Sequence, residues 1–196
     1  QWPQQVPLNA LSHHLYVDRR GAPENPQGGF NAIDKFALAS AIAGYLQVPD
    51  GKVVVSEVNW PISGTFIYSP VTSPFEYPLA KPGEVADNGV NEVDYSDYML
   101  RYIVLALCSG LVDTVFWWRL VARGYGLVDK NDDGELRERP AFFALQHFLL
   151  TLGESIFLRA RLPEQKDQRH GLYEFEFKRP GGEHLLLCWS HGPAVA

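Results

Sequence analysis

Sulfur is scarce in this chain: two cysteines, Cys108 and Cys188, and one methionine in 196 residues. The cysteines lie far apart, one in an apolar helical run and one in a strand-like run. Two buried free thiols are therefore expected, and cysteine usage leaves the compartment open. Basic residues form no block, and the net charge is −6. That balance argues against nucleic acid or anionic lipid as the main partner. No apolar run reaches the length of a membrane-spanning helix, so no membrane is expected. Residues 1–10 have neither the basic start nor the apolar stretch of a signal peptide, which reads as a mature, trimmed or mid-protein start. Ser12 and Ser56 have no nucleophile-elbow glycines around them, and no phosphate-cradling glycine loop occurs.

Metal motifs fail in the same way. Asp129, Asn131, Asp133 and Gly134 begin like a calcium loop, but position twelve is Pro140 where a bidentate Glu is needed. A turn before a helix is the better reading. His13 and His14 are adjacent, and on a strand they point to opposite faces, so they do not share a metal. No metal and no cofactor are expected.

Aromatic residues are plentiful at 13%, with five Trp and nine Tyr. They suit either a ligand that stacks on rings, such as a sugar, or an aromatic core. At 46% hydrophobic the chain has enough apolar side chains for a sizeable core.

The chain is organised around residues 52–61, KVVVSEVNWP. A β-branched run of this kind reads as a parallel strand buried on both faces. Around it the pattern alternates. Leu8 to Tyr16 forms a short strand, and Asn31 caps a helix to about Gln47. After the Glu57 strand comes a long irregular segment, Ile62 to Glu92, rich in proline and aromatics, read as an ordered flap. Asp94 or Ser96 caps a second helix through Leu111. Thr114 to Leu120 is a third strand, and Pro140 opens a third helix to Leu152. The order β-α-β-α-β-α signals a parallel sheet or barrel. Beyond Gly153 the period changes to alternation. Residues 155–162, 172–178 and 184–190 read as antiparallel strands, with Arg179-Pro180-Gly181-Gly182 as a turn. Two regions result: residues 1–153, α/β, and residues 154–196, an antiparallel β-subdomain.

Strand ends in a parallel array meet at one mouth. Three ends come together here: His13-His14-Leu15-Tyr16, Glu57-Val58-Asn59-Trp60, and Trp117-Trp118-Arg119. A carboxylate among rings and polar tips suits a carbohydrate: aromatic faces stack on its C–H surface and the carboxylate meets the positive anomeric centre. Arg119 has two readings, a partner that keeps Glu57 ionised or a salt bridge elsewhere in the layer. Glu57 itself has the bland reading of a structural carboxylate paired with an Arg.

These residues resemble the last three βα units of a retaining clan A glycoside hydrolase, of the family 39 xylosidase and polysaccharide-hydrolase type. Ser56-Glu57-Val58-Asn59-Trp60 is similar to the nucleophile motif that ends strand seven there. His14-Leu15-Tyr16 is similar to the end of strand six, and Trp117-Trp118 to the aromatic platform of strand eight. Gly124-Tyr125-Gly126-Leu127-Val128-Asp129 followed by Arg139-Pro140-Ala141-Phe142 is similar to the run after strand eight. The resemblance covers roughly residues 8–152. It implies the C-terminal portion of a (β/α)8 TIM-type barrel, strands six to eight, followed by the small antiparallel β-subdomain. It also implies Glu57 as nucleophile, with His14, Tyr16, Asn59, Trp60, Trp117, Trp118 and Arg119 against the sugar.

One part of the pattern is missing. A retaining glycosidase needs two carboxyl groups about 5 Å apart. In the resembling families the proton donor is an Asn-Glu ending strand four, far upstream of the nucleophile. The Asn-Glu pair of this chain, Asn91-Glu92, follows Glu57 and precedes a helix. The proton donor is therefore not expected in this chain, nor are strands one to five, since a whole barrel takes about 250 residues. The expected partners are a carbohydrate and either the missing N-terminal half of the barrel or a second copy through self-association. A carbohydrate-binding or assembly module without catalysis is the alternative.

Overall fold

A computed structural model of the protein describes residues 8–17, 21–26, 29–64, 89–130, 133–163 and 171–190. The expected aromatic flap falls for the most part on residues 65–88, outside those described. The elements are β1 (Leu11–His13), α1 (Ala32–Tyr45), β2 (Val53–Val58), α2 (Glu92–Cys108), β3 (Thr114–Trp117), β4 (Val128–Lys130), β5 (Leu136–Glu138), α3 (Pro140–Leu152), β6 (Ile156–Arg161), β7 (Leu172–Lys178) and β8 (His184–Ser190), with a 3-10 turn at Pro49–Gly51.

The chain is a mixed α/β protein. β1, β2 and β3 form a parallel sheet in that order, with β2 central. β4 and β5 form a hairpin, and β6, β7 and β8 form an antiparallel sheet. α1 packs on β1 and β2, α2 on α1 and β3, and α3 on α2. Val53, Val55 and Val58 are wholly buried at 0% exposure, in one core with Phe36 of α1 and Tyr102 of α2. Tyr173, Phe175 and Phe177 of β7 belong to that same core. The antiparallel sheet is thus held to the α/β part by continuous apolar packing.

Local chemistry explains the boundaries. Asn31 accepts from the Asp34 amide while Asp34 accepts from the Asn31 amide, a reciprocal cap that starts α1. α2 starts earlier than expected. Asn91 accepts from the amides of Val93 and Asp94, so the cap is Asn91 and not Asp94 or Ser96. α3 starts at Pro140, whose missing N–H is one the first turn leaves unpaired in any case. The expected first and third strands both shorten, the third to Thr114–Trp117. Past Trp117 the backbone leaves the ladder to close a compact loop. There Leu127 and Val128 donate to the carbonyls of Arg119 and Leu120, and Gly126 donates to Ala122. A Cβ on Gly126 would lie 2.3 Å from the Ala122 nitrogen, so this approach needs glycine.

The two thiols differ. Cys108 is half-buried, and burial pushes its pKa up to about 11. Cys188 is exposed, against expectation, because alternation along β8 turns Leu187 and Trp189 inward and Cys188 out. Among the described residues no helix is long and apolar enough to cross a membrane.

Candidate active site

All three strands of the first sheet run the same way, so their carboxyl ends meet on one side, where open α/β sheets place ligands. Glu57 stands at that end of the central strand. Its orientation comes from a break in register. Val55 lies opposite Val115 and Val58 opposite Trp117, so Ser56 and Glu57 together face the single residue Phe116. Strict alternation would send Glu57 to the side of Val53 and Val55, into the helix-covered core. The bulge gives that position to Val58 and leaves Glu57 at the strand end, the re-aiming that bulges near sites perform.

Glu57 is 14% exposed at its side chain. The Tyr16 hydroxyl donates to its Oε1. Its Oε2 lies 3.8 Å from Nδ1 of His14, whose side chain is 52% exposed. The two oxygens are therefore unequal: one is held by a phenol, the other faces an open imidazole. Tyr16 is itself fixed from the scaffold. Its carbonyl accepts from the Lys35 ammonium of α1, and its amide donates to the His14 carbonyl. Below Glu57, Ser12 and Ser56 join through their hydroxyls at 2.5 Å on the sheet face away from the helices. Phe116, 57% exposed, turns to that same face, since its neighbours Val115 and Trp117 pair on the helix side. Alternation along residues 114–117 was the signal that could have singled out Phe116.

Several expected ligand contacts lie elsewhere. Trp60 is 0% exposed, and its indole N–H donates to the Gly21 carbonyl. It packs against Tyr98, Tyr102 and Trp117. Trp60 is a core residue and not the sugar platform that the sequence suggests. Asn59 is also at 0% exposure and ties β2 to β3 through a 2.7 Å bond to the Trp118 carbonyl. It holds the backbone and is closed to a ligand. Trp117 turns to the helix side, stacked on Trp60 at 5.9 Å, with its indole N–H donating to Tyr95 Oη. Both Trp60 and Trp117 were drawn into the core by α2, whose Tyr95, Tyr98 and Tyr102 offer rings at helical spacing. Trp118 stays half-buried beside the strand end.

Arg119 follows neither expected reading. Its guanidinium lies 5.7 Å from the Trp118 ring, and its Nε donates to the Val121 carbonyl. Among the described residues the neighbours of Glu57 are the Tyr16 phenol and the His14 imidazole instead. His13 is the last residue of β1, and His14 lies just beyond the strand. The His13 Nδ1 accepts from the Leu15 amide, and burial, then the nearby His14, push the His13 pKa below the ordinary histidine value.

Asn91, Glu92 and Asp129 serve the framework. Asn91 caps α2, and Glu92 takes bonds from Arg137 and Arg139. Asp129, the first residue of the calcium-like run, lies 2.7 Å from Arg139. Among the described residues no group of three His, Cys, Asp or Glu could hold a metal ion. The arrangement at Glu57 offers a carboxylate oriented by Tyr16, an imidazole 3.8 Å from its second oxygen and the exposed ring of Phe116. The chain matches no protein-family model, and no curated protein matches it.

Proposed function

We propose that this chain is a sector of a retaining glycoside hydrolase barrel, strands six to eight, in which Glu57 is the nucleophile. The observation that supports this most is the bulge-directed placement of Glu57 at the carboxyl end of the central parallel strand, with Tyr16 on Oε1. Oε2 attacks the anomeric carbon, and the C1–O bond to the leaving group breaks with its electron pair. The resulting glycosyl ester is then hydrolysed by water. Tyr16 positions the carboxylate rather than the sugar. His14 and Trp118 line the mouth, and Phe116 adds an apolar contact on the sheet face away from the helices.

A natural leaving group needs a proton, and the groups beside Glu57 among the described residues, Tyr16 and His14, include no second carboxyl. The partner that completes the barrel would bring it. An activated aryl glycoside removes that requirement, because dinitrophenolate leaves without protonation. The test is therefore made on this chain alone, with 2-deoxy-2-fluoro dinitrophenyl glycosides of several pentoses and hexoses. One equivalent of dinitrophenolate should be released, with a glycosyl mass increment on the peptide bearing Glu57. Glu57→Gln should show neither. Labelling that persists in Glu57→Gln, or none with any sugar, rejects the nucleophile role.

That no second carboxyl stands beside Glu57 among the described residues favours one second reading, a carbohydrate-binding module that keeps the mouth without the reaction. Sugar binding by the chain that is unchanged in Glu57→Gln would support it.

A further inference from the structure

The antiparallel sheet has two outer strands, and they are protected differently. β6 has the devices that discourage pairing with another chain. Its register slips between Phe157 and Arg159. Arg159 and Arg161 stand out from it, with side chains 80% and 82% exposed. β8 has neither device. It pairs with β7 over seven residues without a break, Leu172 opposite Ser190 through Lys178 opposite His184. Its sequence, HLLLCWS, contains no Lys, Arg, Asp, Glu or Pro. Among the described residues nothing pairs with its outer edge.

Side-chain burial points the same way. On the core face, Tyr173 and Phe175 of β7 are 2% exposed and Phe177 is 6% exposed. Leu185, Leu187 and Trp189 of β8, on that same face, are only half-buried. On the outer face Leu186 is 62% exposed. A long, regular, apolar edge with unfinished burial on both faces is a template for another strand.

We infer that the outer edge of β8 is a self-association surface, pairing antiparallel with β8 of a second copy across a two-fold axis. A two-fold contact uses the same patch twice and so must be self-complementary. β8 satisfies this. Centred on Leu187, the pairing sets Leu186 opposite Cys188 of the second copy and His184 opposite Ser190. No like charges meet, and His184 is already engaged by Glu176 at 2.8 Å. The two sheets become one six-stranded sheet with its exposed ends at the arginine-guarded β6 strands. This explains why only one edge is guarded.

The test is light scattering of the whole chain over a concentration series. A mass of twice 22.0 kDa is expected for the unaltered chain. Leu186→Lys puts cations near the axis on both copies, and like charges on directly paired strands are destabilising. It should weaken the dimer by at least about tenfold. Cys188→Lys, also at an exposed position, should do the same, and near-ultraviolet circular dichroism should show both variants folded. Ile156→Lys, on the β6 edge, should leave the dimer intact. A monomer at every concentration overturns the inference. So does a dimer that survives Leu186→Lys and Cys188→Lys, or one that Ile156→Lys weakens equally.

Discussion

Replacing Arg101 by Met would strand a buried carboxylate. Glu24 lies in the segment after β1 with only 1% of its side chain exposed, and Arg101 of α2 is 9% exposed. Arg101 donates from Nε to Oε1 at 2.9 Å and from the second terminal nitrogen to Oε2 at 2.5 Å. Its other nitrogen reaches Asp97 at 2.7 Å. Trp189 of β8 adds an indole bond to Glu24 at 2.7 Å. One carboxylate thus joins the β1–α1 segment, α2 and the antiparallel sheet. Removing one partner of a buried pair costs about 3–5 kcal/mol, because the other charge stays behind without compensation. For a chain of this size that corresponds to a fall in Tm of roughly 6–20 °C. Thermal and urea unfolding of Arg101→Met, followed by tryptophan fluorescence, measures it. The double variant Glu24→Gln/Arg101→Met removes both charges and should recover at least about half of the loss. A single-variant loss below about 1 kcal/mol, the range of exposed pairs, would refute the reasoning. So would a double variant as unstable as the single one.

Three further outcomes are expected. Tyr16→Phe removes the hydrogen bond to Glu57 Oε1, a bond to a charged group worth about 1.5–3 kcal/mol. Labelling of Glu57 by an activated fluoroglycoside should slow about ten- to a hundredfold, and an unchanged rate would deny Tyr16 its positioning role. Gly126→Ala forces a methyl against the Ala122 backbone and should cost about 1–3 kcal/mol in urea unfolding, with no loss meaning that the loop opens freely. Partial burial opposes ionisation of Glu92, but hydrogen bonds from Arg137 and Arg139 prevail and hold its pKa below the ordinary glutamate value. Its stabilising effect is therefore present above the unfolded carboxylate pKa and lost as pH falls through the folded one. The stability gap between the unaltered chain and Glu92→Gln should close on acidification; a gap that widens would reverse the sign.

How much of the site was legible in the chain depends on the range of the interaction. β-branched residues at 53–55, the capping Asn31, Pro140 before an apolar helix, and the Tyr-Glu-Phe-Glu-Phe alternation at 173–177 act over a few residues. They dictated the elements around them, the parallel character of the first sheet and the turn to antiparallel strands, but not the β4–β5 hairpin before α3, where the chain read only as a turn before a helix. They also set Glu57 near the end of its strand.

Tertiary structure decided which way each side chain turned. The bulge at Ser56-Glu57 exists only relative to β3, since register is a property of two strands, and without it Glu57 would face the core. Trp60 and Trp117 look like Trp118 in sequence, yet the rings of α2 packed against two of them and left the third beside the strand end. Arg119 settled on Trp118 and the Val121 carbonyl, both within its own loop. Glu24 carried no local signal and became the buried partner of Arg101, 77 residues away. Residue type and spacing announce elements, but direction and partner follow from packing between distant segments, which no short window of sequence contains.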